Sequence, residues 1–356
     1  MLHRIALFFL VLPLICSCGR RGIPPSPDRW APKLGWAKAA DRNHVDLAFT
    51  EKMDIVTIQQ LNNYMIVDGD DDTLSVLSVS LLANGQIARL TTENQEPVSY
   101  TAYVSGVTDQ AGNEVRPESR KSFQGSTARD TVRPRVKEIY PRDMSAGVAV
   151  DTALCVFFNE TMDTSSSSLH AGSIVLLPPP ADTSWKWNEQ MTSVSVAILS
   201  LPSYQSCIYV TKGCKDYSGN RLLRLEKSVF STLDSIPRGR ISGTVTVANA
   251  SNTYMAVMGV FDSLWTPLFL DFLRDEAGRF SFQYLSDGTY NVAAAKDEDS
   301  DGTFDLRGIS VSVSVQGSEE HEGVDVRLSR QVSLQENAEE VLLNFYRMNM
   351  EDGITD

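Results

Sequence analysis

The chain has 356 residues, too many for one ordinary domain and enough for two or three compact ones. Its 32 basic and 45 acidic residues give a formal net charge of -13. This charge disfavours binding to the phosphate backbone of nucleic acid and to an anionic lipid surface, so we expect no nucleic-acid partner.

The first 27 residues have the pattern of an export signal followed by a tether. The apolar run at 5–14 is too short to span a bilayer, which needs roughly 20 residues. The segment Ile15-Cys16-Ser17-Cys18 resembles the lipobox of bacterial lipoproteins, which implies a signal peptide at 1–17 and lipidation of Cys18. The alternative is an ordinary secretory signal with incidental cysteines. Residues 18–27 then form a proline-rich, extended tether.

Two elements recur at matched spacing. A strand that leads into a polar turn appears at 45–54 and again at 154–163, and a second shared element follows at 103–113 and 209–220. Short alternating runs lie between them, as is typical of a β-sandwich. Each copy also opens with an aspartate four residues before a proline.

Both copies resemble bacterial Ig-like domains of the SbsA type. The likeness rests on a strand that ends in Phe, then polar-Glu-x-Met-Asp, and later Asp-x-x-Gly-Asn. It implies two Ig-like domains, at 28–127 and 128–233, that act as spacers and contain no reaction centre.

A third module is predicted at 238–329. Alternating strands at 241–245, 278–282 and 285–294 are separated by glycine-bearing turns. A Gly-x-Phe strand followed by a Gly-Thr-Tyr strand resembles the carboxypeptidase regulatory-like, transthyretin-like sandwich, a non-catalytic family. The predicted fold class is therefore all-β: tandem Ig-like β-sandwiches plus a transthyretin-like β-sandwich, with a short C-terminal helix.

Residues 330–356 comprise that helix and an acidic tail. Apolar residues at helical spacing predict one amphipathic helix over 333–349. We expect it to dock on the third sandwich; docking on a partner is the alternative.

An acidic loop in the third module has spacing suited to calcium. Its ligands would be Asp297, Asp299, Asp301 and Asp305, with the Thr303 carbonyl, because Ca²⁺ takes six to eight oxygen ligands. The twelfth position is Gly308 where an EF-hand has glutamate, so the loop is not an EF-hand. The alternative is a solvated acidic hairpin loop.

No catalytic motif is found. The chain lacks Gly-x-Ser-x-Gly, His-Glu-x-x-His and a phosphate-binding glycine loop. Glu51 and Glu160 recur at equivalent turns, which favours turn chemistry over acid–base catalysis. We therefore expect no enzymatic activity and no cofactor other than calcium.

Trp185 and Trp187, two apart on one strand, would share a face and could stack on sugar rings or on a protein partner. The alternative is a pair that is half core and half edge.

Three cysteines remain once the signal is removed and Cys18 carries lipid: Cys155, Cys207 and Cys214. This odd number allows at most one disulfide, and the sequence leaves the pairing open.

These patterns favour a lipid-anchored structural or adhesive scaffold of the outer membrane or cell surface. Gly19, where aspartate is associated with inner-membrane retention in some bacteria, favours the outer membrane. The alternative is a carbohydrate- or protein-binding component of a surface complex.

Overall fold

The computed structural model describes residues 28–117, 119–167, 172–180, 183–198, 201, 205–247 and 253–350. These residues form three β-sandwiches and a C-terminal helix, which confirms the predicted all-β fold class. The predicted signal peptide, the tether with Cys18, and the acidic tail after residue 350 lie outside the described residues. No helix within the described ranges is long and apolar enough to cross a membrane.

Module 1 (28–127) is a sandwich of two antiparallel sheets, in the orders β1-β2-β5-β4 and β3-β6-β7. Alternating apolar residues of β2 and β5 face the other sheet and form its core with those of β3 and β6. The seven strands are β1 (Leu34–Ala39), β2 (His44–Phe49), β3 (Tyr64–Val67), β4 (Val76–Leu81), β5 (Ile87–Thr92), β6 (Ser99–Val104) and β7 (Ser119–Gln124).

A short helix, α1 (Ile55–Ile58), follows the first repeated motif of module 1. The Asp54 carboxylate caps it by accepting hydrogen bonds from the backbone N–H groups of Val56 (3.1 Å) and Thr57 (2.9 Å). This aspartate is therefore the N-cap of α1.

Module 2 (128–233) repeats the topology of module 1. Its sheets have the orders β8-β9-β12-β11 and β10-β13-β14, so each strand occupies the place of the strand seven earlier. The strands are β8 (Val136–Tyr140), β9 (Leu154–Phe158), β10 (Ile174–Leu177), β11 (Thr183–Trp187), β12 (Ser193–Ile198), β13 (Gln205–Val210) and β14 (Glu226–Ser231).

Module 3 (238–329) has a different topology. One sheet has the order β18-β15-β22, in which β15 and β22 run parallel, and the other has the order β17-β16-β19-β20, with β21 also paired to β19. The strands are β15 (Gly239–Val247), β16 (Val257–Asp262), β17 (Pro267–Phe272), β18 (Arg279–Leu285), β19 (Gly288–Lys296), β20 (Leu306–Ile309), β21 (Val313–Val315) and β22 (Glu320–Leu328).

The C-terminal helix, α2 (Glu336–Asn349), begins three residues later than the predicted 333. Ala338, Leu342 and Phe345 are buried in the core of module 3, so the helix docks within its own chain. It also contacts module 2, because the Asn349 side chain accepts a hydrogen bond from the N–H of Lys212 (3.3 Å) and Arg221 donates to the Met350 carbonyl (2.8 Å).

Modules 2 and 3 share one continuous apolar core. Leu177, Cys207, Tyr209 and Val229 of module 2 belong to the same buried cluster as the core of module 3 and helix α2. Such a shared core disfavours relative motion of the two modules, because separation would expose apolar surface to water.

Candidate functional site

The acidic loop between β19 and β20 brings together three of its four aspartates. Asp297, Asp299 and Asp305 each offer a carboxylate oxygen, and these oxygens all lie within 4.8 Å of one another. Asp301 is turned away, since its carboxylate accepts hydrogen bonds from the N–H (2.8 Å) and hydroxyl (2.7 Å) of Thr303. The loop therefore presents three carboxylate ligands to a cation, one fewer than the four that the spacing predicts.

Backbone hydrogen bonds and helix α2 hold this loop in place. Asp297 is buried and accepts from the N–H groups of Ser300 (2.6 Å) and Gly302 (2.8 Å) and from the Tyr346 hydroxyl (3.2 Å). Arg347 of the same helix donates to the Gly302 carbonyl at 2.9 Å. The loop is thus fixed to the helix that joins modules 2 and 3.

The charges in the loop affect its titration. The N–H of Asp301 lowers the pKa of Asp299, but desolvation and the carboxylates of Asp301 and Asp305 outweigh it, so the pKa is raised overall. Burial and the nearby Asp297 carboxylate raise the pKa of Tyr346. Desolvation and the neighbouring carboxylates act together in both cases, and a bound cation would relieve the part that is due to the negative charges.

The tryptophan pair lies partly in the core of module 2. Trp185 and Trp187 share the inward face of β11 and pack against the core of that module, and Trp187 stacks on Phe158 with ring centroids 5.9 Å apart. The indole N–H of Trp185 is buried and has no hydrogen-bond partner among the described residues. The pair is therefore not a fully exposed platform for a sugar, because the apolar face of the strand faces the opposite sheet.

Trp187 nevertheless lines an open groove of about 540 Å³. Phe157 and Lys186 of module 2 form one side, and Gln59 and Gln60 of module 1 reach it from the other. The sequence could not indicate this groove, because the two modules that form it are far apart along the chain.

The second repeated motif forms the same turn in modules 1 and 2. The Asp109 carboxylate accepts from the N–H and side-chain amide of Asn113, and Asp216 accepts from the corresponding groups of Asn220, all at 2.8–2.9 Å. Gly112 and Gly219 have positive φ values of 87° and 91°. The aspartate, glycine and asparagine of this motif therefore close the same turn in both modules.

Each of these turns also meets two other carboxyl groups. In module 2, oxygens of Asp130, Glu160 and Asp216 lie within 4.8 Å of one another, and Asp28, Glu51 and Asp109 form the equivalent set in module 1. The recurring aspartate before each proline was the sequence signal for these sets. This signal showed that Asp28 and Asp130 recur at equivalent positions, but not that each lies beside two other carboxyl groups.

The carboxyl set of module 2 continues into module 1. His44 Nδ1 lies 2.8 Å from Asp41 Oδ2 and 3.9 Å from Asp130 Oδ2, and all three side chains are buried. Burial lowers the pKa of His44, but the hydrogen bond and charge of Asp41 outweigh it and raise the pKa above 6.5. Burial and the charges of Asp216 and Asp130 raise the pKa of Glu160 to about 7.

The three cysteines of the modules are free thiols. Cys207 and Cys214 are fully buried, Cys155 is partly exposed, and no disulfide joins any of the three. Burial raises the pKa of both Cys207 and Cys214 to about 12. Cys207 and Cys214 behave as small apolar residues of the core. The single disulfide that the sequence allowed is not formed in this structure.

Residues 130–232 match a family model described as "Bacterial Ig-like domain". This segment is module 2 and carries one of the two copies of the repeat. The match ends at residue 232, so the resemblance of residues 238–329 to the carboxypeptidase regulatory-like sandwich stays a prediction. None of the curated proteins matches the chain.

Solved structures with some likeness include surface proteins. The N-terminal part of the bacterial S-layer protein SbsC is 16% identical over 57% of this chain and 44% of its own, with a TM-score of 0.26. The major pilin subunit BcpA of Bacillus cereus is 12% identical over 75% of this chain and 94% of its own, with a TM-score of 0.21. The chain thus spans less than half of the S-layer structure, and likenesses at such TM-scores are no guide to its function.

Proposed function

We propose that this chain is a non-catalytic, lipid-anchored scaffold of the cell envelope. Two Ig-like modules would act as a spacer that holds module 3 away from the membrane. The main support is the continuous apolar core that joins module 2, module 3 and helix α2, since a shared core resists bending and holds module 3 in a fixed position on the second module of the spacer. The lipobox-like segment at 15–18 supports the anchor.

The anchor is tested by labelling cells that express the whole chain with radioactive palmitate and separating their membranes by density. We expect label and an outer-membrane or surface fraction for the native chain, and loss of both for Cys18→Ser. Cys16→Ser is the matched control, because it removes a neighbouring thiol and should leave the label in place. Equal labelling of the two variants would contradict the proposed anchor.

We also propose that the loop 297–305 binds calcium and stiffens module 3. Asp297, Asp299 and Asp305 support this, because their oxygens already converge and helix α2 holds the loop. The predicted ligand Asp301 would have to turn inward on binding, and the Thr303 carbonyl would supply a further oxygen. The expected affinity is on the order of 10⁻⁴ to 10⁻³ M, as in extracellular calcium modules.

Calorimetry and thermal melting of the metal-free chain, with and without millimolar calcium, test this site. We expect heat of binding and a higher melting temperature in the native chain, and neither in Asp299→Asn. Asp70→Asn is the control, since Asp70 lies in another exposed acidic turn, at 68–72, where Asp68 already accepts two backbone hydrogen bonds. Unchanged melting of the native chain with calcium would refute the proposal.

A second candidate function is binding of a carbohydrate or protein partner in the groove between modules 1 and 2. The specific observation is that Trp187 and the partly exposed Phe157 lie beside amide side chains of Gln59 and Gln60, a mixture typical of sugar-binding grooves. A glycan array tests it: binding that is lost in Trp187→Ala and kept in Lys186→Ala supports a binder, and a blank array supports the scaffold.

A further inference from the structure

The junction between modules 1 and 2 is polar, unlike the apolar junction between modules 2 and 3. Thr161 of module 2 bonds the hydroxyls of Ser78 and Thr91 of module 1. The Gln190 side chain accepts from the N–H of Val79 (2.7 Å) and donates to the Gln59 carbonyl (2.9 Å). Such bonds exchange readily for bonds to water, so they stabilise the docking of the modules only weakly.

A buried set of charges lies beside these bonds and includes the imidazole of His44. His44 belongs to module 1 and Asp130 to the start of module 2, where Asp130 Oδ1 accepts from the N–H of Val132. Because His44 lies between Asp41 and Asp130, its protonated form places one positive charge between a carboxylate of each module.

The other charges that face His44 are few. Arg89 approaches from β5, but its guanidinium is engaged by Asp46 at 2.7 and 2.8 Å. Glu160 and Asp216 approach from module 2 and are both negative when ionised. When His44 is neutral, Asp41 of module 1 therefore faces three carboxyl groups of module 2, and none of the described residues places a free cation between them.

We propose that the protonated His44 locks module 1 onto module 2, and that loss of this proton lets the two modules separate. The junction is then a pH-dependent hinge in an otherwise stiff chain. Module 1 moves relative to the rigid pair of modules 2 and 3, and mild acid closes the hinge.

The directions of the pKa shifts agree with closure of the hinge in mild acid. Burial lowers the pKa of His44, and Asp41 of its own module and Asp130 of module 2 raise it. The part due to Asp130 favours docking at low pH, and this contribution is lost as the pH rises through the raised pKa. The pKa of Glu160 is raised from 4.5 to about 7. Ionisation of Glu160 at higher pH therefore also favours separation of the modules, because it adds negative charge to the module 2 side. Desolvation raises the pKa of Asp41, but its hydrogen bond to His44 and the charge of His44 outweigh this and lower the pKa overall. Asp41 therefore stays ionised throughout the pH range in which His44 and Glu160 titrate.

The test is hydrogen exchange of the Val79 amide, whose bond to Gln190 crosses the junction, with small-angle X-ray scattering of the whole chain. Both are measured at pH 6 and pH 9 in buffer with a chelator, and exchange rates are corrected for the intrinsic effect of pH. We expect the protection of Val79 to fall between pH 6 and pH 9 and the radius of gyration to rise.

Two variants locate the effect. His44→Gln should leave Val79 unprotected at pH 6 as well as at pH 9. Asp130→Asn keeps the oxygen that accepts from Val132 and should abolish the pH response even if His44→Gln folds poorly. Asp28→Asn, at the equivalent position of module 1, is the matched control and should retain the native response.

Equal protection of Val79 and equal scattering of the native chain at both pH values would overturn the proposal. So would a pH response that survives in Asp130→Asn, or one that is lost in Asp28→Asn.

Discussion

The hydroxyl of Tyr209 in module 2 bonds both backbone polar groups of Leu270 in module 3. It donates to the Leu270 carbonyl and accepts from the Leu270 N–H, each at 2.9 Å. The tyrosine is fully buried on β13, and Leu270 is buried on β17. Because β17 is at the edge of its sheet, the N–H and carbonyl of Leu270 would lack partners inside the shared core without the Tyr209 hydroxyl.

Removing that hydroxyl should weaken the link between modules 2 and 3. Tyr209→Phe leaves the buried N–H and carbonyl of Leu270 unpaired, so we expect the free energy of unfolding to fall by about 1–3 kcal/mol. Urea unfolding measures it. Tyr64→Phe is the control, because its hydroxyl bonds Ile58 within module 1 and its loss should leave the transition of modules 2 and 3 unchanged. An unchanged unfolding curve for Tyr209→Phe would argue against the link.

Phe345 should be the most important side chain of helix α2. Its ring stacks on Phe272 of module 3 at 5.3 Å and meets Tyr209 of module 2 edge-on at 5.4 Å. Phe345→Ala should lower the free energy of unfolding by about 3–5 kcal/mol. In calorimetry, modules 2 and 3 should then melt separately. Asn344→Ala, an exposed neighbour on the same helix, should change stability by less than about 0.5 kcal/mol. Similar losses in both variants would show that the helix matters only for its helicity.

Gly243 should not tolerate a side chain. A Cβ at this position would lie 1.8 Å from the Val324 carbonyl oxygen of the parallel neighbour β22, which is closer than any real contact. We expect Gly243→Ala to prevent native packing of module 3, seen as loss of near-ultraviolet circular dichroism and rapid proteolysis. Gly69→Ala meets no atom within 4 Å and should behave as the native chain. A native-like spectrum for Gly243→Ala would mean that β15 and β22 are not paired as described.

The three thiols of the modules should react at very different rates. The reactive species is the thiolate, and burial holds Cys207 and Cys214 in the thiol form with pKa values of about 12. We expect Cys155 to react first with an aromatic disulfide reagent and the other two only on unfolding. Cys155→Ser should abolish the fast phase. A fast phase that persists in this variant would place another thiol at the surface.

Local patterns in the sequence were enough to predict the all-β fold class and the repeat. Alternation shows which face of a strand is buried, and the paired motifs at 45–54 and 154–163 repeat because each copy needs the same strand and turn. The turn roles of Asp54, Asp109 and Asp216 were also predictable, since an aspartate in a turn bonds its own neighbouring backbone. Each of these features depends on contacts between residues that are close along the chain.

The acidic loop and the tryptophans were predicted only in part. The spacing placed four aspartates in one loop, but Asp301 turns to Thr303 because a nearby hydroxyl and N–H satisfy its carboxylate. Alternation placed Trp185 and Trp187 on one face, but it could not say that this face packs against the opposite sheet.

The sequence by itself determined the all-β fold class, the repeat shared by modules 1 and 2 and the amphipathic C-terminal helix, because these follow from periodicity and local turn chemistry. Only the tertiary structure decided how the modules join. Tyr209 meets Leu270 across 61 positions, and His44 meets Asp130 across 86. Contacts at such separations depend on how whole sheets pack, and no local pattern of residues encodes that geometry.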